Sequence, residues 1–236
     1  MCHHVRMASM SRAENRAEQT RAILDSARAQ LAEVGPAALS VRQVARDVGV
    51  VSSAVYRYFP SRDELLTALI VEAYDELGDA VEQADAGVRP PSDLAGRFLA
   101  VCAAIRGWAR TNPHEYALLY GSPVPGYAAP DTTVPSAARV TGAFLRLARA
   151  SEEAGHPLAP TRPVPPRARE ALDGVRRVLE SPVPDERMVR WLMAWSTVFG
   201  HVSLELFGHM HRGVLDYDAH FAQVTGQLAA DLGLAP

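Results

Sequence analysis

Residues 41–59, VRQVARDVGVVSSAVYRYF, restrict the fold more than any other stretch of the chain. Val41, Val44, Ala45 and Val48 recur at helical spacing and predict a short helix over residues 41–48. Ser40 with Gln43 three residues on fits a capping box. Gly49 then stops the helix, because the residue just past a helix end often needs a positive φ that glycine adopts cheaply. Val50 can plug the angle to a second helix, which Ser52 or Ser53 can cap and which runs through Ala54, Val55, Tyr56, Arg57, Tyr58 and Phe59. Helix, glycine turn, helix is the helix-turn-helix pattern. Small residues at the start of the second helix let it enter a major groove, and Tyr and Arg at its end can reach phosphates and base edges.

GVVSSAVYRYFPSRDELL, with the preceding VRQVARDVGV and RAILDSARAQLAEVG, resembles the core signature of TetR-type regulators over about residues 20–66. Two positions depart from it. Val51 stands where a small or polar residue is usual, and Arg62 where Lys is common; the charge stays, but a planar fork replaces a point charge. The resemblance implies a homodimer, release by a small molecule, and two heads on successive major grooves of a near-palindromic operator in double-stranded DNA. Carried onto this sequence, Tyr56 and Arg62 are expected phosphate contacts. Arg42, Ser52, Ser53, Ala54 and Arg57 are expected to face bases or the groove, and Tyr58 to pack or touch phosphate.

The formal net charge of −3 is unevenly spread: residues 1–62 carry nine arginines against five acidic residues, and the remainder fifteen against twenty-two. A basic head on an acidic body suits a protein that offers one end to nucleic acid. Every basic residue is Arg, which we read as coding bias. No run of about 18 apolar residues suggests a membrane span. The N-terminal segment lacks the apolar core of a signal peptide, so a cytoplasmic protein is expected. Cys2 and Cys102 are too far apart in sequence to suggest a metal cluster.

The expected organisation is all-α. A flexible arm covers residues 1–15, with Met7 or Met10 as alternative starts; a helix-turn-helix domain covers 16–75 and a ligand-binding and dimerisation body 76–236. Cys2, His3 and His4 lie in the arm and read as tail, since nothing nearby completes a tetrahedral site. Ile23, Leu24, Ala27, Leu31 and Val34 predict a first helix over residues 17–34, ended by Gly35-Pro36. Ser61 and Glu64 form a second capping box ahead of a helix to about residue 84. In the body, stripes through Leu94 to Trp108, Tyr116 to Tyr120 and Ala137 to Ala148 predict three helices, followed by one over residues 167–180 and a final pair over 185–212 and 218–232. Proline-rich loops cover residues 121–135 and 154–166.

WLMAWSTVFGHVSLELFGHMH, residues 191–211, resembles the C-terminal part of a TetR subgroup marked by Trp, His-Gly and Leu-Glu-Leu. Trp195, Gly200 and Leu204-Glu205-Leu206 match; Phe199 stands at the His position, with His201 after the Gly. Trp108, Tyr116, Tyr120, Phe144, Trp195 and Phe199 are either core or the lining of a pocket for a small hydrophobic or aromatic effector, with Tyr116, Tyr120, Thr141 and His201 as its polar groups. Leu206, Gly208, Phe221, Val224, Leu228 and Leu232 are expected on a dimer seam of four helices. Gly200 and Gly208, about 80° apart on a helical wheel, suggest close backbone approach there. His201, Glu205 and His209 share a face, but i to i+8 spans about 12 Å, too far for one ion. No metal or cofactor is expected. GxSxG, HExxH, CxxC and GxxxxGK[ST] are all missing, so an enzyme is not expected. The alternatives to a ligand-released repressor are an activator, a repressor without ligand, and a helical enzyme or interaction module that lost DNA binding.

Overall fold

A computed structural model describes residues 11–158, 160, 162–179 and 183–234. Its regular elements are all helices, with no strand among those residues, and it divides into two units. The first holds the chain up to Ile70 together with Pro123–Ala129; the second holds Val71–Ser122 and the chain from Pro130. The expected split at residues 75 and 76 did not include the returning segment.

In the first unit, helix α1 is Arg12–Val34. It starts five residues before expectation, because Ser11 and Glu14 form a full capping box: the Glu14 N–H donates to Ser11 Oγ at 3.2 Å and the Ser11 N–H to Glu14 Oε2 at 2.6 Å. Residues 12–15 are therefore helix, not arm, and Ser11 caps it; residues 1–10, with Cys2, His3 and His4, lie outside the described residues. Ile23, Leu24, Ala27 and Leu31 are buried as their spacing predicts, whereas Val34 in the last turn is exposed. Helix α2 is Val41–Asp47, and its capping box is half made. Ser40 Oγ accepts from the Gln43 N–H, but the Ser40 N–H donates to Gln30 Oε1 and the Gln43 amide turns to Asp47. Gly49 has φ of 71° and closes α2 by two reversed bonds, Gly49 N–H to Arg46 O and Val50 N–H to Ala45 O.

Helix α3 is only Ser52–Val55. Neither serine caps it: Val51 holds the cap position and supplies no side-chain acceptor. Residues 56–59 continue as hydrogen-bonded turns, with Tyr56 N–H to Ser52 O at 3.1 Å and Phe59 N–H to Val55 O at 3.0 Å. Val55 and Phe59 enter the core with Val41, Val44 and Ile23, and Val50 is half-buried. Helix α4, Arg62–Gly87, belongs to both units. Ser61 Oγ accepts from its Glu64 N–H at 3.1 Å.

The second unit continues with α5 Leu94–Thr111, α6 Pro113–Tyr120, α7 Val134–Glu153, α8 Pro166–Glu170, α9 Asp173–Leu179, α10 Asp185–Leu206 and α11 Tyr217–Asp231. The single helix expected over residues 167–180 is broken at Ala171 and Leu172. The helix expected to reach residue 212 stops at Leu206. Phe98 anchors the core, edge-on to Phe144 at 6.0 Å and to Trp191 at 5.7 Å; truncating a buried ring of this kind costs about 3–5 kcal/mol. Arginine forks tie the helices together. Arg97 grips Asp85, and Arg139 reaches Asp75, Asp79 and Glu82 of α4. The buried Arg187 of α10 donates to Ser151 Oγ, Glu152 Oε2 and the His156 carbonyl.

Candidate nucleic-acid interface and body sites

The head presents a short polar surface around α3. Arg42, Ser53, Tyr56 and Arg57 are exposed, while Ser52, Ala54 and Tyr58 are half-buried. The four-residue helix makes its serines surface residues and leaves Val55 to anchor it. Arg42 and Arg57 have no carboxylate partner among the described residues. Val51, which the sequence reading did not assign to the interface, is 70% exposed at the tip of the turn.

Arg62 is placed differently from expectation. Its Nε donates to the Leu39 carbonyl at 3.1 Å, its Nη2 to those of Pro36 and Ala37 at 2.7 and 3.0 Å, and its Nη1 faces Asp63 at 3.4 Å. The fork braces the turn that leads into α2. Tyr58 is half-buried, with the Arg16 guanidinium 5.0 Å from its ring centroid.

In the body, four of the six aromatic residues meet. Tyr116 and Tyr120 are 5.1 Å apart, Tyr120 and Phe199 4.4 Å, and Trp195 and Phe199 5.4 Å; Tyr74 adds an edge to Tyr120 at 6.1 Å. Phe144 belongs to the Phe98 group instead, and Trp108 is buried without a ring contact among the described residues. Tyr116 hydroxyl is already engaged, donating to the Phe199 carbonyl at 3.0 Å and lying 2.9 Å from Ser203 Oγ; burial raises its pKa to about 12. Burial also raises that of Tyr120. The Trp195 Nε1 is buried with no protein acceptor. His201 does not join this cluster's polar groups: its Nε2 lies 2.8 Å from His220 Nδ1. Burial first, then His220, depresses the His201 pKa. Glu205 is taken by Arg106, and His209 lies past the end of α10, so the helical His–Glu–His face does not form. No group of three or more potential metal ligands occurs among the described residues.

Of the residues expected on a dimer seam, two are buried within the protomer and three are half-buried. Phe221 is 6% exposed and Leu232 0%, Leu206 and Leu228 pack on the protomer core, and Val224 is half-buried. Gly208 is not inside a helix: with φ of 78° it terminates α10, through Gly208 N–H to Glu205 O and His209 N–H to Leu204 O. Apolar periodicity identified the face that the protomer itself buries. The opposite face of α10 carries Met193, 56% exposed, Thr197, Gly200 and Leu204, 45% exposed. On α11 the exposed residues include Ala222, Gly226 and Ala230.

An all-helical chain with a glycine-turned helix pair, a basic head and a separate helical body defines a helix-turn-helix transcriptional regulator. The family model for bacterial regulatory proteins of the tetR family matches residues 23–69, and that for the tetracyclin repressor-like C-terminal domain matches 98–228. The HTH-type transcriptional regulator Rv1816 of Mycobacterium tuberculosis is 41% identical over 209 residues, 88% of this chain and 88% of that protein. The HTH-type transcriptional repressor LfrR of Mycolicibacterium smegmatis is 42% identical over 80 residues, 34% of this chain and 41% of that protein. The crystal structure of putative regulatory protein SCO4313 superposes with a TM-score of 0.77 at 31% identity, covering 94% of this chain and all of that one. The chain belongs to the TetR family of DNA-binding transcriptional regulators, a family of regulators and not of enzymes. No described helix is long and apolar enough to cross a membrane.

Proposed function

We propose that the protein is a cytoplasmic, homodimeric repressor that leaves a near-palindromic operator when a small hydrophobic or aromatic effector enters its body. The observation that carries DNA reading is the surface at α3, where Arg42 and Arg57 are exposed and unpaired beside Ser53 and Tyr56. Arg57 reads a base edge, Tyr56 holds a phosphate, Arg42 faces the groove, and Ser52, Ser53 and Ala54 admit α3 to it. Val51 offers an apolar contact for a thymine methyl group. Arg62 serves by bracing the head.

Dimerisation uses the exposed face of α10 and α11, where Gly200 and Gly226 let helices of two protomers approach closely around Met193 and Leu204. The effector site is the ring cluster of Tyr120, Trp195 and Phe199, whose apolar walls and unpartnered indole N–H favour an uncharged ligand with one hydrogen-bond acceptor. Release requires the effector to bind the DNA-incompetent state more tightly than the DNA-bound one. The repressor reading draws support from LfrR, a relative named as a repressor. Selecting genomic fragments on purified protein and sequencing them tests the reading; enrichment of no common inverted repeat overturns it.

A further inference from the structure

One side of α1 carries Arg12, Asn15, Arg16 and Gln19 at spacings of three and four residues, so all four share a face. With Tyr58 they line an open groove of about 490 Å³ in the head. The Arg16 guanidinium lies 5.0 Å from the Tyr58 ring centroid. Stacking of this kind holds the guanidinium against the ring while its in-plane N–H edges stay available. Neither Arg12 nor Arg16 has a carboxylate partner among the described residues. Two acids flank this face in sequence: Glu14 is engaged in the capping box with Ser11, and Glu18 is not among the residues that line the groove. The lining therefore holds two guanidinium groups, two carboxamides and a phenol, and no carboxylate. The lining residue Tyr58 directly follows the exposed Arg57, so the groove adjoins the recognition surface in the chain.

We infer that this groove seats the phosphodiester backbone of duplex DNA flanking the bases read at α3. The inference rests on the DNA-binding reading and adds a second contact region to it. A donor-rich, carboxylate-free, open groove matches a continuous row of phosphate oxygens, which carry negative charge and accept hydrogen bonds from Arg, Asn, Gln and Tyr alike. Its contribution is to hold the head in register while sequence is read elsewhere.

The test compares wild-type protein with the double variant Arg12→Ala/Arg16→Ala on an operator duplex and on a mutated duplex across a salt series. The double variant is expected to bind both duplexes on the order of tenfold more weakly near 0.1 M salt, with discrimination between them kept. The slope of log affinity against log salt should shrink by about one for each lost phosphate contact on each bound head. Asn15→Asp keeps side-chain size and leaves the Arg16–Tyr58 stack in place, and it is expected to weaken both duplexes alike. This variant decides the matter if the double variant melts early. Wild-type affinity and slope in either folded variant overturn the groove alone. A wild-type protein that retards no duplex at any salt overturns the DNA-binding reading with it.

Discussion

Arg106 and Glu205 form a two-pronged pair, Nε to Oε2 at 2.7 Å and Nη2 to Oε1 at 2.8 Å, that ties α5 to α10. The remaining Nη1 reaches Asp218 of α11 at 2.7 Å, and the guanidinium lies 5.1 Å from the Phe221 ring centroid. Both side chains of the pair are nearly buried. Arg106→Ala should therefore cost about 3–5 kcal/mol, because it leaves the Glu205 charge uncompensated, whereas replacing both by apolar residues of similar size should cost far less. Urea unfolding of the two single variants and the double variant measures this; equal loss in all three contradicts it.

The two glycines of the α10 region should behave in opposite ways. Gly208→Ala is expected to cost about 1–2 kcal/mol, because an L side chain resists the left-handed conformation, and to leave association intact. Gly200→Leu places a side chain into open space on the exposed face. It should leave the protomer folded and shift sedimentation toward monomer. A dimeric Gly200→Leu protein places the seam elsewhere.

Arg57 and Arg62 should also separate. Arg57→Ala is expected to reduce discrimination between operator and mutated operator by about 1–3 kcal/mol with unchanged thermal stability. Arg62→Ala removes the donors to three carbonyls and should destabilise the head by about 1–3 kcal/mol, its binding loss following its melting curve. An Arg62→Ala head of full stability but uniformly weaker DNA binding would return Arg62 to the phosphate contacts.

Trp195→Ala should fold, dimerise and bind operator, yet respond to an aromatic effector only at raised concentration. The readout is operator release against effector concentration, checked by tryptophan fluorescence in the wild type. An unchanged midpoint identifies Trp195 as packing only.

Stability should fall with pH in the range where unfolded histidine titrates. The folded His201 pKa lies below its ordinary value of 6.5, so at mildly acid pH the unfolded chain binds the proton that the folded chain refuses. The contribution is complete above that value and is lost as pH falls through it toward the folded pKa. The depressed Asp218 carboxyl acts in a separate, lower window, below about pH 4. His201→Gln should flatten the urea midpoint between pH 7.5 and 5.5, a range set by the ordinary histidine value of about 6.5; a wild-type midpoint constant over this range refutes the assignment.

Local chemistry was the legible part of this sequence. Gly49 stops α2 as its position foretold, because the reversed bonds of a helix end involve only neighbours. Ser11 and Glu14 carry the spacing of a capping box in the sequence itself, which puts Arg12 and Asn15 on a helix. The break at Ala171 and Leu172 falls just ahead of Asp173-Gly174, a dipeptide that marks turns. Four of the six chosen aromatics do assemble, yet which rings meet depends on helix packing: Phe144 turned to Phe98. Hydrophobic periodicity gave the core face of α10 and α11, and the exposed face of these helices is the one with the weaker apolar signal. Charge alone did not show that Arg62 is surrounded by carbonyls.

The segment Pro123–Ala129 has a practical consequence for dissecting the protein. Thr67 Oγ1 donates to the Asp63 carbonyl at 2.8 Å, so its 2.9 Å partner Tyr127 must be the donor of the bond between them. That phenol is contributed from 57 residues beyond Ile70, the last residue of the head's continuous run. A fragment cut after α4 would thus be born with a piece missing and the Thr67 hydroxyl short of one donor. The inheritable module here is discontinuous: a head grafted onto another body would need to bring its seven-residue segment from later in the chain along, or find a substitute for it in its new host.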